Sequence, residues 1–151
     1  MTTPLFVVPC SATKSKALTN GSPMPARDAY TGQAFRMARH QLDSARAKWC
    51  ILSGYYGFIW PSTVIESYDV KMEPVDESTV WDECFGAINN RQYAKLMTAE
   101  RIVVLGSMLY VNAAAVLLNR DIDAPLAGLP IGKMLQRLAT GDFLKNYDTA
   151  L

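Results

Sequence analysis

Three carboxylates in this sequence of 151 residues are candidates for chemistry: Asp28 in "PARDAYTGQAF", just ahead of a helical pattern, and Glu66 and Asp69, which flank Tyr68 in "VIESYDVKM" and belong to no evident amphipathic face. A carboxylate held in a partly dry crevice activates water or stabilises a developing cation, and two at different depths divide those roles. Asp28 also fits a purely structural role, an acid facing the free amides of a following helix. Nearer the N-terminus, "CSATKSK" brings Cys10, Ser11, Lys14 and Lys16 together. It lacks the glycines and the Gly-Lys-Ser/Thr ending of a Walker phosphate loop. Lys14 and Lys16 therefore read equally well as phosphate holders and as solvated loop charges. Cys10 would need a neighbouring base to become a nucleophile, and the sole histidine, His40, falls inside a helical pattern with no placed relation to it. A small packed thiol is the expected role.

Tyr55, Tyr56, Phe58 and Trp60 crowd around Gly57 in "CILSGYYGFIWPSTVIESYDVKM", a stretch that leaves a buried run and then shows no regular period. Long irregular stretches of this kind are uncommon in compact domains unless they bind or react with something. Part of the aromatic set must pack inward. The remainder suits stacking against a heterocyclic base.

The elements that must position these groups follow from apolar patterning. Leu5 to Val8, Trp49 to Leu52 and Ile102 to Leu105 are short continuous apolar runs, the signature of strands buried on both faces. Residues 9 to 30, rich in Ser, Thr, Gly and Pro, read as a long connection, and the spacing of Tyr30, Ala34, Phe35, Met37, Ala38 and Leu42 predicts a helix to about Arg46. Thr79 and Asp82 have capping-box spacing, which predicts a helix through about Leu96. Tyr110 to Leu118 reads as an apolar helix, Ala124 to Leu126 as a short edge strand, and Pro130 as the start of a last helix.

Strands alternating with helices predict an α/β fold: a three-layer sandwich with a short, mostly parallel sheet of about four strands, flanked by helices. The ligand crevice then lies at the carboxyl ends of the strands. The segments that follow the three strands are Pro9-Cys10-Ser11, Ser53-Gly54-Tyr55 and Gly106-Ser107-Met108. All are small or polar, and their glycines would let a ligand approach the backbone. Cys10, Ser53 and Ser107 are expected around one cleft, with Asp28 and Glu66 reaching into it.

Composition narrows the classes. The length and a hydrophobic half of the residues fit one globular domain over residues 1–151. Fifteen Lys and Arg against fourteen Asp and Glu leave a net charge of +1, so any polyanion must be met by a local patch. No apolar run reaches the length of a membrane span and no leader pattern opens the chain, so no membrane partner and a cytoplasmic location are expected. Three widely spaced cysteines give no zinc pattern, and neither metal nor cofactor is expected.

The stretch "ILSGYYGFIWPSTVIESYDVKM" resembles the signature of the YaaA-like peroxide-stress family: a strand ending in Leu-Ser-Gly, then Tyr-Gly, a Pro, an acidic position and a Tyr. It is more similar still to small bacterial and phage relatives of that family, which share the elements seen here as "VVPCSATKSK" and "PARDAYTGQAF". The shared positions are Cys10, Ser11, Lys14, Asp28, Tyr30, Thr31, Ser53, Gly54, Tyr56, Gly57, Pro61, Glu66, Tyr68 and Asp69. The resemblance covers about the first half of the chain. It implies a DNA-related role, in or near systems that make, exchange or remove modified bases, as in phage–host conflict. The chain lacks the long additional segments of YaaA-like proteins, so a separate duplex-binding element is not implied.

Together these features lead to the expectation of a DNA glycosylase-like enzyme that breaks the N-glycosidic bond of a base, with DNA as partner. Asp28, Glu66 and Asp69 are the candidate catalytic carboxylates. Cys10, Ser11, Lys14, Tyr30, Thr31, Ser53, Gly54, Tyr55, Tyr56, Tyr68 and Ser107 are the candidate substrate-binding residues, with Tyr55 or Trp60 stacking on an extruded base. Lys14, Lys16 and Arg27 would hold phosphates. Two other readings use the same crevice: a non-catalytic DNA-binding or nucleotide-sensing module, and a nucleoside hydrolase or transferase.

Overall fold

The computed structural model describes residues 3–147. In chain order the elements are β1 (Pro4–Pro9), α1 (Lys16–Thr19), β2 (Met24–Pro25), α2 (Ala26–Ala29), α3 (Gln33–Ser44), β3 (Lys48–Ser53), β4 (Gly57–Ile59) and β5 (Val64–Ile65). There follow α4 (Trp81–Phe85), α5 (Asn90–Thr98), β6 (Arg101–Val104), α6 (Met108–Leu118), α7 (Ile131–Thr140) and a 3-10 helix at Asp142–Asn146. The main sheet has the order β4-β3-β1-β6. β1 pairs in parallel with both β3 and β6, and β4 is antiparallel to β3.

The period of two along the central strand divides the core into two halves. Phe6 and Val8 of β1 join Phe35, Ala38 and Leu42 of α3 and Leu138 of α7 on one face. Leu5 and Val7 join Leu96 of α5 and Val111, Ala114 and Leu117 of α6 on the other. A strand buried on both sides has no polar alternation, which is why β1 and β6 read as continuous apolar runs. The result is the expected α/β architecture, an open and mostly parallel sheet flanked by helices.

Three local expectations are corrected. The fourth strand of the sheet is β4, not Ala124 to Leu126. Gly57 at φ +72° turns the chain back after Ser53 and sets Phe58 opposite Leu52. Near the other edge only Asp123 makes a single parallel bridge, to Val103; Pro125 has no amide to extend a ladder, and Ala127 donates to the Ala124 carbonyl to close a turn. The helix expected from Thr79 to Leu96 is two helices, interrupted after Phe85. Its capping box belongs to Asn89 and Gln92, whereas Thr79 Oγ accepts from the Asp76 amide within a turn. Finally, α3 begins at Gln33 instead of Tyr30, because residues 16 to 29 already form α1, β2 and α2, and β2 pairs with β5.

Candidate functional site

The chain leaves β1 towards the face covered by α3 and leaves β6 towards the face covered by α6. Adjacent parallel strands whose connections diverge in this way create a crevice at their carboxyl ends. A cleft of about 400 Å³ occupies that place. Cys10, Ser11 and Thr13 line it from the loop after β1, and Gly106, Ser107 and Tyr110 from the turn into α6. Gly32 and Gln33 at the start of α3 and Ile131 at the start of α7 complete the wall. Helices of 12, 11 and 10 residues thus begin at one cleft. The first amides of a helix have no partner within it, and its dipole is positive at that end, so three such starts favour an anion or an acceptor-rich group. Apolar groups such as Val8, Phe35 and Met134 share the wall, leaving room for a flat or hydrophobic body beside the charged one.

Directly behind Cys10 lies a hydroxyl chain. Ser53, only 2 % exposed at the end of β3, accepts from the amides of Tyr55 and Tyr56, each at 3.1 Å, and donates to the Tyr68 hydroxyl at 2.8 Å. Tyr68 and Tyr30 share a hydrogen bond of 2.6 Å between their hydroxyls. Cys10 Sγ lies 3.6 Å from the Tyr110 hydroxyl, so thiol and phenol are paired at the cleft wall. Burial raises the pKa of the Tyr30, Tyr68 and Tyr110 phenols above the ordinary value, and the neighbouring Cys10 adds to the rise. At neutral pH these phenols are protonated hydrogen-bonding groups. They are not bases.

The outer side of Tyr68 is equally furnished. Tyr55, 56 % exposed, stacks on it at 5.3 Å with 21° between the ring planes. Lys14 Nζ sits 4.4 Å from the ring centroid and donates to the Ala12 carbonyl at 3.3 Å. The Glu66 amide donates to the Tyr56 hydroxyl at 3.0 Å, tying the segment that follows β5 to the aromatic group. The Thr31 amide donates to the Thr13 carbonyl, and the Gly32 amide to Ser11 Oγ, which hold the β1 loop against the approach to α3.

The structure distributes the residues expected from sequence unevenly. Cys10, Ser11 and Ser107 share the cleft. Ser53 does not line it; with Gly54 and Tyr55 it faces a separate hollow of about 290 Å³ under residues 70 to 75. Asp28, Glu66 and Asp69 are exposed, and among the described residues no carboxylate lines the cleft. Asp28 lies 3.8 Å from Arg39, and α3 begins without a side-chain cap, so the capping role does not apply to it. Arg27 is committed to Asp43 at 2.5 Å, whose other oxygen accepts from the Trp49 indole, while Lys16 stands exposed on α1. The glycines have a packing role as well. A Cβ on Gly54 would come within 2.6 Å of the Met72 amide nitrogen, and one on Gly106 would strike the Pro9 ring, so both permit close packing of chain on chain.

Sequence reasoning missed Gly32, Gln33, Tyr110 and Ile131 as wall residues. Their signal was present only as helix starts, Gly32 before an amphipathic run and Pro130 before another. Among the described residues no group of His, Cys, Asp and Glu is arranged to hold a metal ion, and no helix is long and apolar enough to cross a membrane.

Comparison with known proteins gives one match. No curated protein and no solved structure matches the chain. Residues 5–140 match a family of unknown function, DUF6884, a span that takes in both core faces, the cleft and the hydroxyl chain behind it. The chain belongs to the DUF6884 family.

Proposed function

We propose that the cleft beyond β1 and β6 binds one nucleotide unit of DNA, with a phosphate or other acceptor-rich group at the helix starts and the base against the apolar wall. The observation that carries this reading is the convergence of α3, α6 and α7 by their N-terminal ends on one cleft at the point where the sheet connections diverge. Outside the cleft, Lys14 and the half-exposed Tyr55 against the Tyr68 ring supply a cation and a stacking surface for a neighbouring unit. The resemblance of the first half of the sequence to YaaA-like proteins supports DNA over other polyanions. Binding alone, as a DNA-reading or nucleotide-sensing module, needs no carboxylate in the cleft.

N-glycosidic hydrolysis is the second reading, favoured by Glu66 and Asp69 standing in the sequence on either side of Tyr68, whose hydroxyl is anchored to Ser53 and Tyr30. In that reaction the bond from C1′ to the base nitrogen breaks, its electron pair leaves with the base, and water adds to C1′ while a proton reaches the base. A carboxylate stabilises the cationic sugar or orients the water. The deciding experiment incubates the protein with oligonucleotides carrying normal and modified bases and with free nucleosides, and assays free base and abasic sites. Base release that disappears in Glu66→Gln or Asp69→Asn supports an enzyme. Saturable binding without base release supports the module, and release from free nucleosides alone marks a small-molecule hydrolase.

A further inference from the structure

We infer that the ligand is a strand and not a free nucleotide: a single-stranded nucleic-acid backbone leaves the cleft over Gln33 and follows the groove between α3 and α7, where Arg36 and His40 meet its phosphates. The inference rests on the nucleotide reading of the cleft and names the polymer that would enter it. A groove of about 380 Å³ runs between the two helices, with Gln33, Arg36, Met37 and His40 on one wall and Leu138 and Ala139 on the other. Gln33 lines both this groove and the cleft, so the two hollows meet at that residue.

Gln33, Arg36 and His40 are all exposed, and their spacing of three and four residues places them on one stripe of α3. The stripe runs about 10 Å along the helix axis, more than a single phosphate needs. Among the arginines on the elements around the groove, charge pairing sets Arg36 apart. On the elements around the groove, Arg27 faces Asp43, Arg39 faces Asp28 and Arg137 faces Asp142. Arg36 has no ion-pair partner among the described residues, and no carboxylate lines the groove there. An unmatched guanidinium offers a planar fork suited to a phosphate. The Gln41 carboxamide donates to the Ala139 carbonyl at 2.7 Å, which joins the two walls, and Met37 with Leu138 provides an apolar floor for sugar or base. In a chain of net charge +1, such a local track is what a polyanion requires.

The test compares thymidine monophosphate with an eight-residue oligothymidylate as probes, on the wild type, Arg36→Gln and Arg36→Gln/His40→Gln. The oligomer should bind the wild type at least about tenfold more tightly than the monophosphate, and the double variant should remove most of that gain while leaving the monophosphate affinity unchanged. The salt dependence of oligomer binding should fall by about 0.7 in logarithmic slope for each phosphate that the variant no longer neutralises. An oligomer no tighter than the monophosphate, or a gain that survives in the double variant, overturns the inference while leaving the cleft reading intact. Failure of the wild type to bind either probe removes the nucleotide reading and this inference together.

Discussion

Tyr68→Phe is the sharpest perturbation of the hydroxyl chain behind the cleft. It deletes one oxygen that serves two buried neighbours, the Ser53 hydroxyl at 2.8 Å and the Tyr30 hydroxyl at 2.6 Å. Ser53 and Tyr30 are 2 % and 1 % exposed, so water does not replace the missing partner at either. A buried polar group left unsatisfied costs about 1–3 kcal/mol, and Ser53 retains its two amide donors, so the expected loss for Tyr68→Phe is about 2–3 kcal/mol. Tyr30→Phe should cost less, about 1 kcal/mol, because Tyr68 keeps the bond from Ser53. In the double variant the Tyr30 hydroxyl is no longer there to be stranded. Its cost should therefore be close to that of Tyr68→Phe alone, a coupling of about 1 kcal/mol. Urea unfolding of the four proteins, with a constant dependence on urea, measures each difference. Additivity of the two single losses to within about 0.4 kcal/mol would refute the shared hydrogen bond as the basis of the cluster.

Four further outcomes are expected. Folded-state burial raises the pKa of Tyr30, Tyr68, Tyr110 and the Cys50 thiol, and burial with the bond to Asp123 pushes Tyr147 up to about 12. Above pH of about 9 the unfolded chain ionises first the Cys50 thiol and then phenols that the folded chain keeps protonated, so stability, complete below that pH, should fall towards pH 12; a urea midpoint that stays level over this range contradicts it. Gly57→Ala places a Cβ against the Cys84 backbone at a residue with φ +72°, and a loss of at least about 2 kcal/mol is expected in thermal unfolding. Asn89→Ala removes the capping box of α5 and should cost about 1 kcal/mol, read from the same urea midpoints. Asp28→Asn, Glu66→Gln and Asp69→Asn alter exposed side chains, so each should stay within about 0.5 kcal/mol of the wild type in urea, leaving any change in base release attributable to chemistry.

What the sequence revealed depends on how local the cause is. Leu5 to Val8 and Ile102 to Leu105 announce central strands because burial on both faces erases polar alternation, and Pro130 marks the start of α7 because its ring suits the edge of a helix. β4 was hidden. Its three residues have no period of their own, and they become a strand only through the Gly57 turn and the pairing of Phe58 with Leu52. The second helix was overextended because Thr79 and Asp82 match a capping pattern that Asn89 and Gln92 fulfil in the fold. At the site, Cys10 and Ser107 could be placed from strand ends alone, since a parallel sheet aligns those ends. The meeting of three helix starts was not legible, because it depends on how α3, α6 and α7 are arranged around the sheet. Nor does a carboxylate outside a long amphipathic pattern carry any mark of exposure, and Asp28, Glu66 and Asp69 all prove to be at the surface.

Amide shifts in an isotope-labelled protein titrated with a deoxynucleotide, and then with a short oligodeoxynucleotide, would test the central claim most directly. Saturable shifts should gather at Cys10 to Thr13, at Gly32 to Ala34 and at Gly106 to Ser107, the amides around the cleft between β1 and β6. Shifts confined to the hollow under residues 70 to 75, or none that saturate with either ligand, would contradict it.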